Sequence, residues 1–238
     1  PFPGNVRELE NVLERALAIT LHVHGASSDA AAGVLNDMAH EYLALGQKKR
    51  ARSALERALA IREAKLGPDH PDLATVLTNL AQVLLHDEPE IATGYLERAL
   101  AITHARLGQA HPKTANILNQ LGRAQHAQAA RLEASGQTKK AKAQIFVAIA
   151  SHEEALRRSR EIFGPRHPKV AMAAAGLGDA LLAASRPGEA AARLQEALAI
   201  PGPTARKRAR PQVRWPTTSP PGGARPSRRS PGHRRTGM

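Results

Sequence analysis

The chain has no cysteine among its 238 residues, so disulfides, thiolate zinc sites and a cysteine nucleophile are excluded. Aromatic residues are scarce, 3% of the chain against 42% hydrophobic. A core with so few rings must be assembled from Ala, Leu and Ile, which suits helices packed closely in thin layers. No apolar run approaches the roughly 20 residues that span a bilayer, and no signal peptide pattern is present, so a soluble, cytoplasmic chain is expected. A Gly-x-x-x-x-Gly-Lys-[Ser/Thr] cradle for phosphates is missing too, as is an acidic strand end to hold magnesium. No nucleophile stands beside a base. Glu153-Glu154 and Asp87-Glu88 read as surface charges rather than an acid/base pair, and His22, His24, His40, His86, His104, His126 and His152 read mostly as exposed helix residues. The expectation is a non-catalytic protein without cofactor or metal.

What the chain has is a repeat. Leu-Glu-Arg-Ala-Leu-Ala-Ile occurs at Leu13 to Ile19, Leu55 to Ile61 and Leu96 to Ile102, in decayed form at Leu194 to Ile200, and as a weaker copy around Glu154 to Arg158. The Ala-Leu pairs beginning at Ala16, Ala58, Ala99, Ala155 and Ala197 are separated by 42, 41, 56 and 42 residues. A period near 40 marks a repeat architecture. A second landmark keeps the same beat: Gly67-Pro68-Asp69-His70-Pro71, Gly108-Gln109-Ala110-His111-Pro112 and Gly164-Pro165-Arg166-His167-Pro168. Gly in a left-handed conformation ends a helix and Pro suits the first turn of the next, so each segment reads as a tight helix-to-helix loop. One His per loop, a repeat apart, makes no ligand cluster for a metal.

Two helices are expected between successive landmarks. Leu73, Val76, Leu77, Leu80, Ala81 and Leu84 fall at three- and four-residue steps, and a second stripe runs through Ile91, Tyr95, Leu96, Ala99, Leu100 and Ile102. Asp87-Glu88-Pro89, Gly46-Gln47 and Pro187-Gly188 break the helices between stripes. Each unit is thus a helical hairpin, and Ala58, Ala99, Ala155 and Ala197 at one fixed position let neighbouring helices approach. The 56-residue interval holds 14 residues more than the 42-residue one. They fall within Gln125 to Ile149; split between the arms they lengthen both helices by about two turns. The result is a projecting hairpin, either a binding knob or a tolerated elongation.

These residues resemble the tetratricopeptide repeat. The resemblance rests on Leu35-x-x-Met38-Ala39-x-x-Tyr42, on Leu77-x-x-Leu80-Ala81 and Leu118-x-x-Leu121-Gly122, and on the Ala-Leu pair that follows each. The unit of 42 residues with a Gly-x-x-His-Pro link is similar to the variant found in kinesin light chains and in many bacterial regulators. The fourth unit departs most, with Ala174, Gly176 and Gly178 where larger or helix-favouring residues are expected. The expected fold is an all-α tetratricopeptide-type solenoid with units at 29–66, 71–107, 112–163 (extended) and 168–200. In that family the first helix of each unit lines a concave groove that binds other proteins. The positions that implies are Gly33, Asn36, His40 and Leu43; Thr75, Thr78, Gln82 and Leu85; Asn116, Asn119, Arg123 and His126. Their amides and hydroxyls suit an extended peptide backbone, and Arg123 and His126 suit an acidic group.

The N-terminus carries a second resemblance. Pro3-Gly4-Asn5-Val6-Arg7-Glu8-Leu9-Glu10-Asn11 is similar to the run that closes the AAA+ domain of sigma-54-dependent transcription activators. That resemblance makes 1–24 a remnant of the lid helix and Arg7 a nucleotide sensor without its ATPase core. It implies that the chain is the C-terminal regulatory piece of a longer regulator. The alternative is the second helix of an earlier repeat in a stand-alone scaffold, since Gly4 to Ile19 aligns with Gly46 to Ile61, although Leu9 stands where that repeat has the small Ala51.

Composition changes at Ile200. Residues 201–238 hold nine Arg, Lys207, eight of the 17 Pro and no Asp or Glu, so this segment supplies +10 of the net +13. Such a segment buries too little apolar surface to fold and is expected to be disordered. Three readings remain open: an out-of-frame stretch of a GC-rich gene, a solvated linker, or a basic tail. In the last case Lys207-Arg208-Ala209-Arg210 and Trp215 would contact polyanions.

Overall fold

The computed structural model describes the backbone of residues 3–201 and the side chains of Glu8 and of residues 11–201. Among the described residues there are only helices: α1 (Pro3–His24), α2 (Asp29–Ala44), α3 (Lys48–Leu66), α4 (Leu73–Leu84), α5 (Pro89–Leu107), α6 (Pro112–Ala134), α7 (Thr138–Phe163), α8 (Pro168–Ala183) and α9 (Pro187–Ala199). They form four successive hairpins, α2/α3 to α8/α9, with α1 packed against α2. Leu13 and Leu17 of α1 contact the first core, in the register that Leu55 and Leu59 hold one unit later. Expectations for Arg7 and for 202–238 lie outside the described side chains.

The loops have the chemistry their sequences announce, with one correction. Gly67, Gly108 and Gly164 have φ of 86°, 83° and 79° and ψ of 164°, 162° and 160°. This is the extended mirror-image region that side chains forbid, not the left-handed helical one expected. It swings the chain out of the helix sharply enough for a loop of a few residues. His111 and His167 then cap α6 and α8: each Nδ1 accepts a hydrogen bond from the backbone N–H of Lys113 or Lys169, at 3.1 and 3.2 Å, with Pro in the first turn. In the first loop His70 Nδ1 accepts from Asp72 N at 3.3 Å, and α4 starts two residues after Pro71 rather than at it.

α6 has 23 residues where α2 and α8 have 16, and α7 has 26 where α3 and α5 have 19. Each arm is therefore seven residues, about two turns, longer than its counterparts. Arg131, in the lengthened part of α6, ties it to the preceding hairpin by donating to the carbonyl of Asp87 at 2.7 Å.

Two apolar cores meet on α6. Ile117, Leu121 and Ala124 face the first, with Leu35, Leu55, Leu77, Leu80 and Leu96; Leu118 and Ala129 face the second, with Ile149, Leu156, Val170, Leu177 and Leu181. Each fully buried Leu contributes about 1.5–3 kcal/mol relative to exposure. Ion pairs bridge successive units, Arg52–Glu88 at 2.6 Å, Lys48–Asp87 at 2.9 Å and Arg160–Glu196, while Arg62–Asp29 at 3.1 Å ties the two helices of the first hairpin together. Solvent reaches these partners and screens them, so they orient the units more than they stabilise them.

Candidate protein-binding groove

First helices of successive units touch one another directly, α4 against α6 and α6 against α8. Second helices are linked by long side chains such as Arg98–Glu63 at 2.5 Å. The side with the closer spacing is the inner one, so the surface of α2, α4, α6 and α8 forms the groove.

Along that surface the structure joins some expected residues and sets others aside. Asn79 Nδ2 donates to Asn36 Oδ1 at 2.7 Å and lies 3.2 Å from His40 Nε2, locking α4 to α2. Thr78, expected in the row, is buried, and its hydroxyl donates to the Ala74 carbonyl of its own helix at 2.6 Å. Asn79, one position on, takes its place because the helix turns that residue toward α2. Thr75 and Gln82 are exposed; Asn116 is half-buried. Asn119 is only 7% exposed, and its Oδ1 has no hydrogen-bond partner. It lines a small cleft with Asn116, Ser159, Lys169 and Met172.

Arg123 and His126 come together one turn further along. They line a cleft of 280 Å³ with Leu85, His86, His152, Gly176 and Asp179. Arg123 is exposed and donates to Gln120 Oε1 at 2.9 Å. His152, expected as an exposed helix residue, is 1% exposed, and its Nδ1 has no partner. Burial, reinforced by the nearby His126 and Arg123, pushes its pKa from 6.5 down to about 4, so the ring is neutral near pH 7. The sequence carries a signal for this: His152 stands where Leu55, Leu96 and Leu194 stand in the repeated string. Gly122 and Gly176 face this ring from α6 and α8, and a Cβ on either would approach it to 2.7 and 2.5 Å. Gly178 likewise leaves room for Leu194, whose Cγ a Cβ there would meet at 2.7 Å. The small residues of the fourth unit are thus the counterparts of bulky neighbours. Among the described residues no three His, Asp or Glu gather as metal ligands, and no helix is long and apolar enough to cross a membrane.

Tetratricopeptide repeat models match residues 31–72, 53–103 and 130–201. The chain belongs to the tetratricopeptide repeat family. Its fold is similar to the crystal structure of a Podosopora anserina protein named as a kinesin light chain, with nearly identical TPR-like repeats. That match has TM-score 0.64 and 23% identity over 87% of this chain and 90% of that one. It is also similar to BtubC (BKLC) from P. vanneervenii, with TM-score 0.66 and 22% identity over 98% of this chain and 82% of that one. No curated protein matches. A tetratricopeptide solenoid is a scaffold suited to protein–protein interaction.

Proposed function

We propose that this tetratricopeptide protein captures an extended segment of a partner protein along Asn36, His40, Thr75, Asn79, Gln82, Asn116 and Asn119, with an acidic group of the partner at Arg123 and His126. The observation that carries the reading is Asn119, which lines a small cleft with Asn116 between α6 and α8 and whose carbonyl oxygen has no donor. A buried unpaired acceptor costs about 1–3 kcal/mol, and a peptide N–H laid along the groove would offset it. Arg123 and His126 supply a charge-assisted contact one turn away.

The test is a selection of linear peptides against the purified protein, followed by affinity measurement on the Asn119→Ala/Arg123→Ala variant. Loss of the charge-assisted contact is expected to weaken binding about tenfold or more, with helix content unchanged by circular dichroism. If that variant binds normally while deletion of 201–238 abolishes capture, the groove reading fails and the basic segment is the functional element. Polyanion contact through 201–238 is the weaker part of the proposal and is expected to vanish with added salt.

The regulatory setting we infer, a sigma-54-dependent type of transcription regulator, is supported by the run Pro3 to Asn11 and its Arg7. On this reading the chain alone neither binds nor hydrolyses ATP. Turnover by a contaminant-free preparation would overturn it.

A further inference from the structure

The lengthened arms of α6 and α7 leave a step on the molecule. Over most of their length these helices are covered by α8, but α8 ends at Ala183 and the chain turns back at Ser185. Beyond that point the surface that receives α8 continues with nothing on it among the described residues. A cleft of 530 Å³ lies there, walled by Ala129 and Ala130 of α6, Ala141 and Phe146 of α7, and Ala183 at the end of α8. Five of the lining residues are Ala, which leaves room for large side chains from outside. Phe146, on the wall of the cleft, and its neighbour Val147 follow closely on the seven added residues of α7 and are 59% and 46% exposed. Apolar side chains this large, grouped beside an apolar cleft, mark an interaction surface.

The charge around it is mainly positive. Lys139, Lys140 and Lys142 lie at the start of α7, whose first turn holds no acidic residue and whose N-cap makes no side-chain hydrogen bond. Lys140 Nζ donates to the neutral Gln137 at 2.9 Å, and no ion pair engages Lys139 or Lys142 among the described residues. Glu133 is the single acidic residue lining the cleft. Cations at a helix N-terminus add to the positive end of its dipole and cost stability. Three of them in the first turns of the helix that walls this cleft, with Lys142 on the wall itself, are explained by an anionic partner.

We propose that this step is a docking site for an acidic amphipathic helix of another protein. The helix continues the line of α8 across α6 and α7, seats large apolar side chains against Ala130, Ala141 and Phe146, and turns its carboxylates to Lys139 and Lys142. The shape argues for a helix because the same inter-helix surface, two turns lower, already holds one. This site stands apart from the groove reading, although His126 and Ala130 border both clefts.

The test uses the full chain and a fluorescein-labelled peptide designed as an amphipathic helix, Leu on one face and Glu on the other, with a control carrying Lys in place of Glu. Fluorescence anisotropy should show saturable binding of the acidic peptide and none of the basic one. Phe146→Ala and, separately, Lys139→Glu/Lys142→Glu should each weaken the acidic peptide about tenfold or more, the fold-change that separates an anchor from a neutral contact. Both sites are exposed, so circular dichroism should be unchanged. Asn119→Ala/Arg123→Ala should bind this peptide as the native chain does. Equal binding of both peptides, or unchanged binding by Phe146→Ala and the charge-reversed variant, overturns the proposal. Loss in the groove variant alone places the peptide in the groove and overturns it as well. If the chain elutes as a dimer that Phe146→Ala converts to a monomer, a second copy covers the step and the partner proposed is wrong.

Discussion

His152 shows at the scale of one residue how a repeat tolerates a misfit. Its counterparts Leu55 and Leu96 are apolar and fully buried; a planar imidazole there needs Gly122 on one side and Gly176 on the other. Gly to Ala in a helix normally stabilises by up to about 1 kcal/mol. Here Gly176→Ala should destabilise by about 1–3 kcal/mol instead, because the ring cannot retreat from the new methyl without striking α6. Chemical denaturation of that variant measures the sign. The ring also links stability to pH. Its folded pKa, about 4, lies below the 6.5 of the unfolded chain, so the unfolded state takes up the proton first. The stability it protects is complete above about pH 6.5 and is lost as pH falls toward 4. At about 1.4 kcal/mol per unit, the full loss is about 3 kcal/mol. Arg123, His126, His86 and Asp179 face the same cleft, so His152→Leu should flatten the slope between pH 7 and 5 while these neighbours remain. An unchanged slope would assign the acid sensitivity to them.

At the scale of elements, the loops fix where helices begin. His167 does two things: Nδ1 caps α8 through Lys169 N, and the ring stacks on Phe163 with centroids 4.7 Å apart. His167→Ala should therefore cost about 1–2 kcal/mol, the sum of a cap and a ring contact. His167→Asn should recover only the cap. Thermal melts of the two variants separate these contributions: equal melting temperatures would show that the cap contributes nothing, and an Asn variant that melts as the native chain does would show that the stack contributes nothing. The repeated Gly-x-x-His-Pro segment, the apolar stripes and the 56-residue interval make these hairpins legible in the sequence, because a period of 3.6 residues and a fixed loop are written locally in the chain. The groove is less legible. Which of Thr78 and Asn79 turns toward α2 depends on how two hairpins are rotated against each other, and that rotation is set by packing, not by spacing. The burial of His152 is hidden for a related reason: His is an ordinary exposed helix residue until its place in the repeat shows that a Leu belongs there.

Among the described residues each hairpin packs chiefly against its neighbours, so protection against unfolding should vary along the solenoid rather than be uniform. α4 lies mid-chain with nine buried residues from Leu73 to Leu84. In α9 only Ala190 is buried, and Leu198 is 85% exposed. One face of α9 thus has no following unit among the described residues to cover it. Backbone amides of α9 should exchange with solvent about a hundredfold or more faster than those of α4, the factor that roughly 3 kcal/mol of local opening free energy provides. Arg160 ties α9 to α7 through Glu196, whose other oxygen accepts from Arg193 at 3.0 Å. Arg160→Ala should speed exchange in α9 and leave α2 to α5 unchanged, because the first core, from α1 to α6, does not include that pair. If hydrogen exchange instead rises equally in all helices, the two cores open as one unit and the nearest-neighbour description of this chain is wrong.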